Sequence, residues 1–275
     1  MDNVFNTAVS IALPAIQRDF DIRSSDLQWT ISAYTLTFGG FLLLSGVLSD
    51  RYGRRWVLCA GLFWLSAWTV AVGASATFVQ MAIFRALQGI GAAMTVPSSV
   101  GIIGSYYVGK DQSRALSVFS ACGAVGFCGG LIFGGFLSAS LGWRYIFRFT
   151  VILTGGLGIL GLFILPRDRR EGDTRPKLDY MGAAMSTAGL VLLAFVLSSG
   201  GVYGWNKGFI IGLLVTSVVL LVGFATLEKK VRNPIMPLSL WKLPSFALLW
   251  IAAFGTYGLF PESTVCWQLD MTIFG

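Results

Sequence analysis

The sequence predicts an all-helical protein that crosses a membrane several times. Of its 275 residues, 55% are hydrophobic and only 12% are charged, whereas about 25% of the residues of a soluble domain are charged. The apolar residues form long runs separated by short charged turns. Several runs reach the roughly 20 residues that a helix needs to cross a bilayer. We therefore expect a polytopic integral membrane protein with the lipid bilayer as its surroundings.

Composition excludes several other classes. The net charge of +7 does not indicate nucleic-acid binding, because the basic residues are spread over short turns and form no contiguous patch. The chain has no histidine and four cysteines, Cys59, Cys122, Cys128 and Cys266. That set assembles neither a zinc pattern nor a Cys/His nucleophile, so we expect no metal and no cofactor. An integral-membrane enzyme is the weakest alternative, and carboxylates are the expected titrating groups for any proton coupling.

The first helix is predicted to end near Gln17. It offers only about 15 apolar residues before Arg18, which is short for a membrane span. The opening has no basic leader and no small-residue cleavage site, so a secretory signal is a poor interpretation. We interpret it as a first helix trimmed at its start.

A short charged hinge, residues 46–58, lies between helices 2 and 3. Gly46 and Gly53 allow close helix approach and a sharp reversal. Asp50 lies one helical turn from Arg54 and can offset part of the cationic cluster. The uncharged runs on its two sides cover residues 27–49 and 56–84. The hinge is therefore predicted to be a tight turn between two membrane helices.

The hinge sequence, Gly-x-Leu-x-Asp-Arg-x-Gly-Arg-Arg, resembles the signature loop of the major facilitator superfamily of transporters. The resemblance implies a cytoplasmic loop whose Asp and Arg form a latch against the second half of the protein and govern alternating access. The alternative is an ordinary basic cytoplasmic loop. The residues that match this latch loop are Gly46, Asp50, Arg51, Gly53, Arg54 and Arg55.

Helix 4, about residues 78–104, carries a single arginine, Arg85. An arginine at membrane depth costs roughly 3 kcal/mol unless it faces protein or water. Snorkelling is the alternative, but Arg85 lies about seven residues, or ~10 Å, from the helix start. The run from Arg85 through Gln88, Gly89 and Gly91 resembles a second signature of the same superfamily, Arg-x-x-Gln-Gly-x-Gly. The resemblance implies a role in transport or proton coupling.

Helix 1 carries the candidate acid for that coupling. Its ending, Ala-Leu-Pro with Pro14 last, resembles helix 1 of the drug/proton antiporter branch. In that branch an acid precedes the motif by seven positions, where this chain has Phe5. Asp2 lies one turn earlier and is the candidate for the role.

Helix 5, about residues 114–139, carries a run of spaced glycines. Glycines four residues apart form one smooth face against which another backbone packs closely, and ordinary helix packing is the alternative to a specific role. The antiporter branches follow the second glycine with proline, where this chain has Leu131. The face comprises Gly126, Gly130, Gly134 and Gly135.

The remaining chain is divided by charge and proline. A charged linker, 167–179, precedes two further spans within 180–227, and a second charged loop, 228–243, follows them. The extra helix pair and the later Pro-x-x-Pro-Leu-x-Leu resemble the 14-helix drug:proton antiporter-2 branch. Residues 244–275 are interpreted as the start of a second bundle, with a short ninth run at about 245–260. The chain is thus expected to be truncated.

Orientation follows from the basic residues of alternate loops. The turns after helices 2, 4, 6 and 8 hold 14 Lys and Arg, and the opposite side holds 5. The positive-inside rule places the first set, and the amino terminus, in the cytoplasm. The plasma membrane is the expected location, with the vacuolar or another organelle membrane as the alternative.

The sequence therefore predicts a six-helix amino-terminal bundle, residues 1–166, followed by two linker transmembrane helices and a partial ninth. The resemblance implies a secondary active transporter, with proton-coupled export of a small organic compound between two bundles. The alternative is a truncated membrane protein that does not transport. It would be either the product of an incomplete gene model or an interaction partner of a full-length transporter.

Overall fold

A computed structural model describes residues 2–165, 179–229, 248 and 251–252. All regular structure in these residues is helical, as the sequence predicts. The linker 167–178, most of the loop 228–243 and most of the ninth run lie outside the described residues. The helices are α1 (Asp2–Phe20), α2 (Ser24–Leu27), α3 (Trp29–Tyr52), α4 (Arg54–Gly73), α5 (Phe78–Tyr106), α6 (Lys110–Ser140), α7 (Arg144–Ile164), α8 (Tyr180–Tyr203) and α9 (Gly208–Glu228).

Seven of the described helices, α3 to α9, are long and apolar enough to cross a membrane by length and composition. This confirms the prediction of an all-helical, multi-pass membrane protein. Helix α1 falls outside this set, in agreement with its short apolar opening.

Several helices extend beyond the predicted spans. Because the short α2 is counted, the predicted helices 4 and 5 are α5 and α6. Helix α6 begins at Lys110 rather than near residue 114, and α5 continues to Tyr106 rather than ending near residue 104. Hydropathy marks where a helix leaves the bilayer, whereas its backbone hydrogen bonds continue into water. The break between these helices comes at Gly109, whose φ of +62° is a conformation that glycine adopts without a Cβ penalty.

The bundle is built around α5. Helices α3 and α4 pack on α5, α7 packs on α4, and α1 packs on α6. Helix α1 also turns an apolar face, including Phe5, Val9 and Ile16, toward a core shared with Val72 of α4 and Phe147 of α7. Phe5 meets Phe147 edge to face with ring centroids 5.4 Å apart. Helix α1 therefore contributes one apolar face to the core of the bundle.

One polar cluster fixes the far end of α1. The Asp19 carboxylate accepts a hydrogen bond from Arg144 Nη1 at 2.6 Å and another from Trp143 Nε1 at 3.1 Å. The Arg144 guanidinium lies 4.4 Å from the Trp143 ring centroid. These contacts tie α1 to the start of α7.

The α8–α9 hairpin docks on α3. Ser198 Oγ donates to Ser32 Oγ at 2.8 Å, and the rings of Trp29 and Phe195 lie 5.6 Å apart. A Cβ at Gly40 would overlap the Val191 side chain, so the two helices approach closely there. The hairpin thus docks on α3 through α8, and α9 packs on α8.

Candidate functional site

Arg85 lies inside the bundle and is fully buried. Its guanidinium donates three hydrogen bonds to three different helices. Nε donates to the Thr30 carbonyl oxygen at 2.8 Å, Nη1 to Gln88 Oε1 at 3.0 Å and Nη2 to Asn6 Oδ1 at 3.3 Å. The side chain thus points into protein, and snorkelling to the membrane surface is excluded for this conformation.

Two aromatic rings complete the surroundings of Arg85. Its guanidinium carbon lies 4.9 Å from the Phe5 ring centroid and 4.7 Å from that of Tyr34, within the distance at which a cation is attracted to a ring face. Among the described residues no carboxylate forms an ion pair with Arg85. The charge is therefore held by neutral dipoles and ring faces.

Gln88 extends this network toward α4. Its Oε1 accepts from Arg85, and its Nε2 donates to Thr69 Oγ1 at 2.6 Å. Thr69 in turn donates to the Leu65 carbonyl oxygen at 2.5 Å. Every polar atom of the Gln88 side chain is thus engaged, which is what a fully buried amide requires.

Gly89 and Gly91 provide close backbone approach. A Cβ at Gly89 would overlap Thr37 Oγ1 and the Tyr34 carbonyl oxygen on α3. A Cβ at Gly91 would lie 2.8 Å from Leu65 N on α4. The two glycines therefore allow α5 to approach α3 at Gly89 and α4 at Gly91.

Asp2 joins the network at its edge. Its Oδ1 accepts a hydrogen bond from the Tyr34 hydroxyl at 3.1 Å, and its Oδ2 accepts one from Thr95 Oγ1 at 3.5 Å. Asp2 is only partly buried, whereas Tyr34 and Thr95 are buried. Asp2 is thus brought near Arg85 through Tyr34, although it makes no direct ion pair with the arginine.

The spaced glycines of α6 face α1. A Cβ at Gly134 would come within 2.9 Å of Ala8 Cβ, and one at Gly130 would lie 3.0 Å from Thr7 Cβ. A Cβ at Gly126 would lie 3.1 Å from the Val4 side chain. Asn3 Nδ2 also donates to the Gly123 carbonyl oxygen at 3.2 Å.

Gly135 does not belong to this contact, which corrects the predicted set of four. A Cβ at Gly135 would meet nothing within 4 Å. The physical reason is helix rotation: consecutive residues of an α-helix lie about 100° apart, so Gly134 and Gly135 cannot both face α1.

The hinge between α3 and α4 turns at Gly53, whose φ is +102°. Arg54 donates to Asp50 Oδ1 from both Nε, at 3.1 Å, and Nη2, at 2.9 Å. Its Nη1 donates to the Gly101 carbonyl oxygen of α5 at 2.5 Å. The predicted turn and the Asp50–Arg54 pair are both present, and Arg54 also fastens the turn to α5.

The other hinge residues have different surroundings. Arg55 Nη2 donates to the Leu162 carbonyl oxygen of α7, and Arg51 lies 5.7 Å from the Tyr52 ring centroid. A Cβ at Gly46 would lie 3.8 Å from Pro97, an ordinary van der Waals contact. The expectation that Gly46 permits an unusually close helix approach is therefore wrong, and the hinge depends on Gly53.

Sequence reasoning did not single out several members of the network. These residues are ordinary polar or aromatic side chains within apolar runs, and their contacts come from other helices. Asn6 offered one signal, because an amide inside an apolar helix needs a buried hydrogen-bonding partner. The missed residues are Asn6, Thr30, Tyr34, Thr69 and Thr95.

Within the described part of the chain, no group of three or more His, Cys, Asp or Glu side chains is placed to hold a metal ion.

The fold and the sequence both have known counterparts. The structure resembles the crystal structure of an auto-inhibited peptide transporter of the POT family, with a TM-score of 0.51 and 18% identity, covering 82% of this chain and 51% of that one. At this identity the likeness shows the fold alone. The similarity in sequence to several transporters is higher.

The chain is 34% identical over 259 residues to the puromycin resistance protein pur8 of Streptomyces alboniger, covering 92% of this chain and 51% of that protein. It is 32% identical to the multidrug transporter mfsC of Aspergillus fumigatus, covering 92% and 49%. It is also 30% identical to a low affinity ammonium transporter of Saccharomyces cerevisiae, covering 89% and 49%. The chain thus spans about half the length of the curated relatives it matches.

Residues 2–269, which include the hinge, the Arg85 network and the α6 glycines, match the family model of the Major Facilitator Superfamily. Two of these relatives are named as transporters, and the family is one of transporters rather than enzymes. The match covers nearly the whole chain, and the chain therefore belongs to the Major Facilitator Superfamily.

Proposed function

We propose that this chain forms the first half of a secondary active transporter that exports a small organic compound in exchange for protons. The observation that carries the proposal is the buried Arg85, which keeps a positive charge inside the bundle and is linked through Tyr34 to the carboxylate of Asp2, a partly buried residue. Ionisable side chains within membrane segments typically mark ion or substrate pathways. Relatives named for puromycin and tetracenomycin resistance and for cephamycin export support a small organic substrate.

In this proposal Asp2 exchanges the proton and Arg85 is the fixed cation whose field Asp2 senses. Gln88 holds the guanidinium, while Gly89 and Gly91 permit the helix approach that seals it. The glycines at 126, 130 and 134 set the position of α1 and hence of Asp2. Since Arg85 is fully buried, it does not contact substrate in this conformation.

The hinge serves as the latch of the proposed cycle. Asp50 and Arg54 bind each other here, and Arg54 also binds α5. In the complete transporter this turn closes on helices of the second half during alternating access. We further propose the predicted division of the chain, with residues 1–166 as the first bundle, 180–227 as two linker helices and 244–275 as the start of the second bundle.

Transport is tested by proton and substrate flux in reconstituted vesicles. The 275-residue chain alone is expected to show no proton-driven flux, and the chain extended by the second half of a relative is expected to show it. Arg85→Ala in the extended chain should abolish flux, while Arg114→Ala, a change at an exposed residue of α6, should not. Flux from the short chain as a monomer, or normal flux with Arg85→Ala, would contradict the proposal.

We also propose a cytoplasmic amino terminus, which the 14-to-5 distribution of basic residues supports. To test this orientation, the protein's own cysteines are removed and a single cysteine is introduced in place of Val108 or of Leu141. Both positions are exposed, at 85% and 55%, and they lie at opposite ends of α6. A membrane-impermeant thiol reagent added outside intact cells should label the Leu141→Cys variant only. Labelling of the Val108→Cys variant from outside would contradict the proposed orientation.

A further inference from the structure

Tyr34 is the described residue that contacts both charged groups of the network. Its hydroxyl donates to Asp2 Oδ1 at 3.1 Å, and its ring centroid lies 4.7 Å from the Arg85 guanidinium carbon. The ring also stacks on Phe38, with centroids 6.2 Å apart and an interplanar angle of 3°. Only 1% of Tyr34 is exposed, so its orientation is fixed by packing.

The hydrogen-bond pattern leaves Tyr34 as the direct connection between Asp2 and Arg85. Arg85 directs its hydrogen bonds to Thr30, Gln88 and Asn6, and none of them goes to Asp2. The second donor to Asp2, Thr95 Oγ1, is longer at 3.5 Å and its own hydrogen bond goes more closely to the Ala92 carbonyl oxygen, at 2.7 Å. The phenol therefore provides the better of the two donors to the Asp2 carboxylate.

We infer that Tyr34 is a positioning residue that couples the protonation of Asp2 to Arg85, an inference that rests on the proposed proton exchange. When Asp2 is a carboxylate, the Tyr34 hydroxyl donates to it, a charge-assisted bond that favours the ionised form. When a hydronium ion protonates Asp2, one O–H bond of the hydronium breaks and a water molecule is left; the hydrogen bond from Tyr34 then loses its charge assistance and the hydroxyl is free to turn. Tyr34 keeps its own proton throughout, so the only bond formed is the O–H bond of the Asp2 acid.

The proposal requires no other titratable side chain at Asp2. The described side chains that contact the Asp2 carboxylate are the phenol of Tyr34 on α3 and the neutral hydroxyl of Thr95 on α5. Arg85 of α5 acts through the Tyr34 ring. Helix α6 presents a backbone carbonyl, that of Gly123, to the adjacent Asn3.

The test is infrared spectroscopy of the 275-residue chain in lipid, with its aspartates labelled by carbon-13. The band lost in Asp2→Asn identifies the Asp2 carboxyl group, and its pH titration gives a midpoint. Tyr34→Phe retains the ring against Arg85 and Phe38 but removes the donor, and it should shift the midpoint by about one pH unit. Thr95→Val is the matched control and should shift it less.

A second measurement leaves every tyrosine ring and its hydroxyl group in place. Replacement of the eight tyrosines by 3-fluorotyrosine makes each phenol a stronger donor and preserves its shape. The Asp2 midpoint should then shift in the direction opposite to that caused by Tyr34→Phe.

The outcomes separate the two proposals. A normal Asp2 titration that neither Tyr34→Phe nor fluorotyrosine alters would overturn the role of Tyr34 and leave proton exchange at Asp2 standing. An Asp2 band that does not titrate at all between pH 4 and pH 10, a window of about six units around neutrality, would overturn both.

Discussion

Arg85 and Arg54 each place a guanidinium among helices, but their surroundings differ. Arg54 lies at the hinge with 31% of its side chain exposed, and it pairs with Asp50, whose side chain is 61% exposed. Arg85 is fully buried and is held by a carbonyl, two side-chain amides and two aromatic rings. One arginine has a carboxylate partner in water, and the other has only neutral partners inside the protein.

This difference shows how the environment determines the partner. At the hinge, water solvates both charges, so an ion pair costs little to form and contributes little. Inside the bundle, a direct ion pair would cost the desolvation of two charges, whereas neutral acceptors orient the guanidinium without cancelling its charge. Arg85 therefore retains a field that a nearby group such as Asp2 can sense, while the charge of Arg54 is locally offset.

The largest expected effect is that of removing the buried arginine. Arg85→Met keeps much of the volume but leaves the acceptors of Thr30, Gln88 and Asn6 without their donor. We expect the free energy of unfolding, measured in mixed micelles of SDS and detergent, to fall by about 3 kcal/mol or more. Arg85→Lys retains the charge and part of the hydrogen bonding, so its loss should be smaller. Equal stability of the Met variant and the parent would show that the network does not hold the bundle together.

The second prediction tests whether α1, which supplies Asn6 to the Arg85 network, packs closely on Gly134 of α6. Gly134→Ala places a methyl group 2.5 Å from Ala8 Cα, so α1 must move. We expect a loss of about 2 kcal/mol in the same micelles. Gly135→Ala, which meets nothing within 4 Å, is the adjacent control and should leave stability unchanged or slightly higher. Equal losses from both variants would rule out close packing of α1 on Gly134.

The third effect is that of removing the hinge arginine. Arg54→Met loses the exposed pair with Asp50 and the hydrogen bond to the Gly101 carbonyl oxygen. We expect a loss of about 1 kcal/mol that becomes smaller in 1 M salt, since the Debye length is then about 3 Å. The Arg85→Met loss should not change with salt. A salt-independent loss at Arg54 would remove the contrast between the two sites.

The smallest effect is expected from a charge pair with no buried member. Arg114 and Asp111 of α6 form a 3.3 Å pair with side chains 80% and 68% exposed. Asp111→Asn should change the free energy of unfolding by about 0.3 kcal/mol or less. A loss comparable with that of Arg54→Met would mean that exposure does not set the rank of these sites.

Several parts of the site were predictable because they depend on neighbouring residues of one helix or turn. Asp50 and Arg54 are four residues apart, and side chains at that spacing meet on a helix surface. The turn at Gly53 follows from a glycine between two apolar runs. The burial of Arg85 followed from its distance to the helix end and the cost of a charge in hydrocarbon.

Other parts could not be derived from spacing. Gly134 and Gly135 are adjacent glycines that the sequence does not distinguish, yet only Gly134 faces α1. Gly46 belongs to the hinge motif but makes only an ordinary contact with Pro97. Tyr34 looks like any aromatic residue of an apolar helix until α1 and α5 bring Asp2 and Arg85 to it.

The sequence by itself determined the membrane class, the helix-forming runs, the hinge and the presence of one costly buried charge. These features arise from hydropathy and helix geometry over a few turns of chain. The tertiary structure decided which atoms hold Arg85, which glycines touch α1 and where the α8–α9 hairpin docks. An apolar helix has no strongly polar face to fix its rotation, so its neighbours are chosen by close packing and by buried hydrogen bonds between residues far apart in the chain.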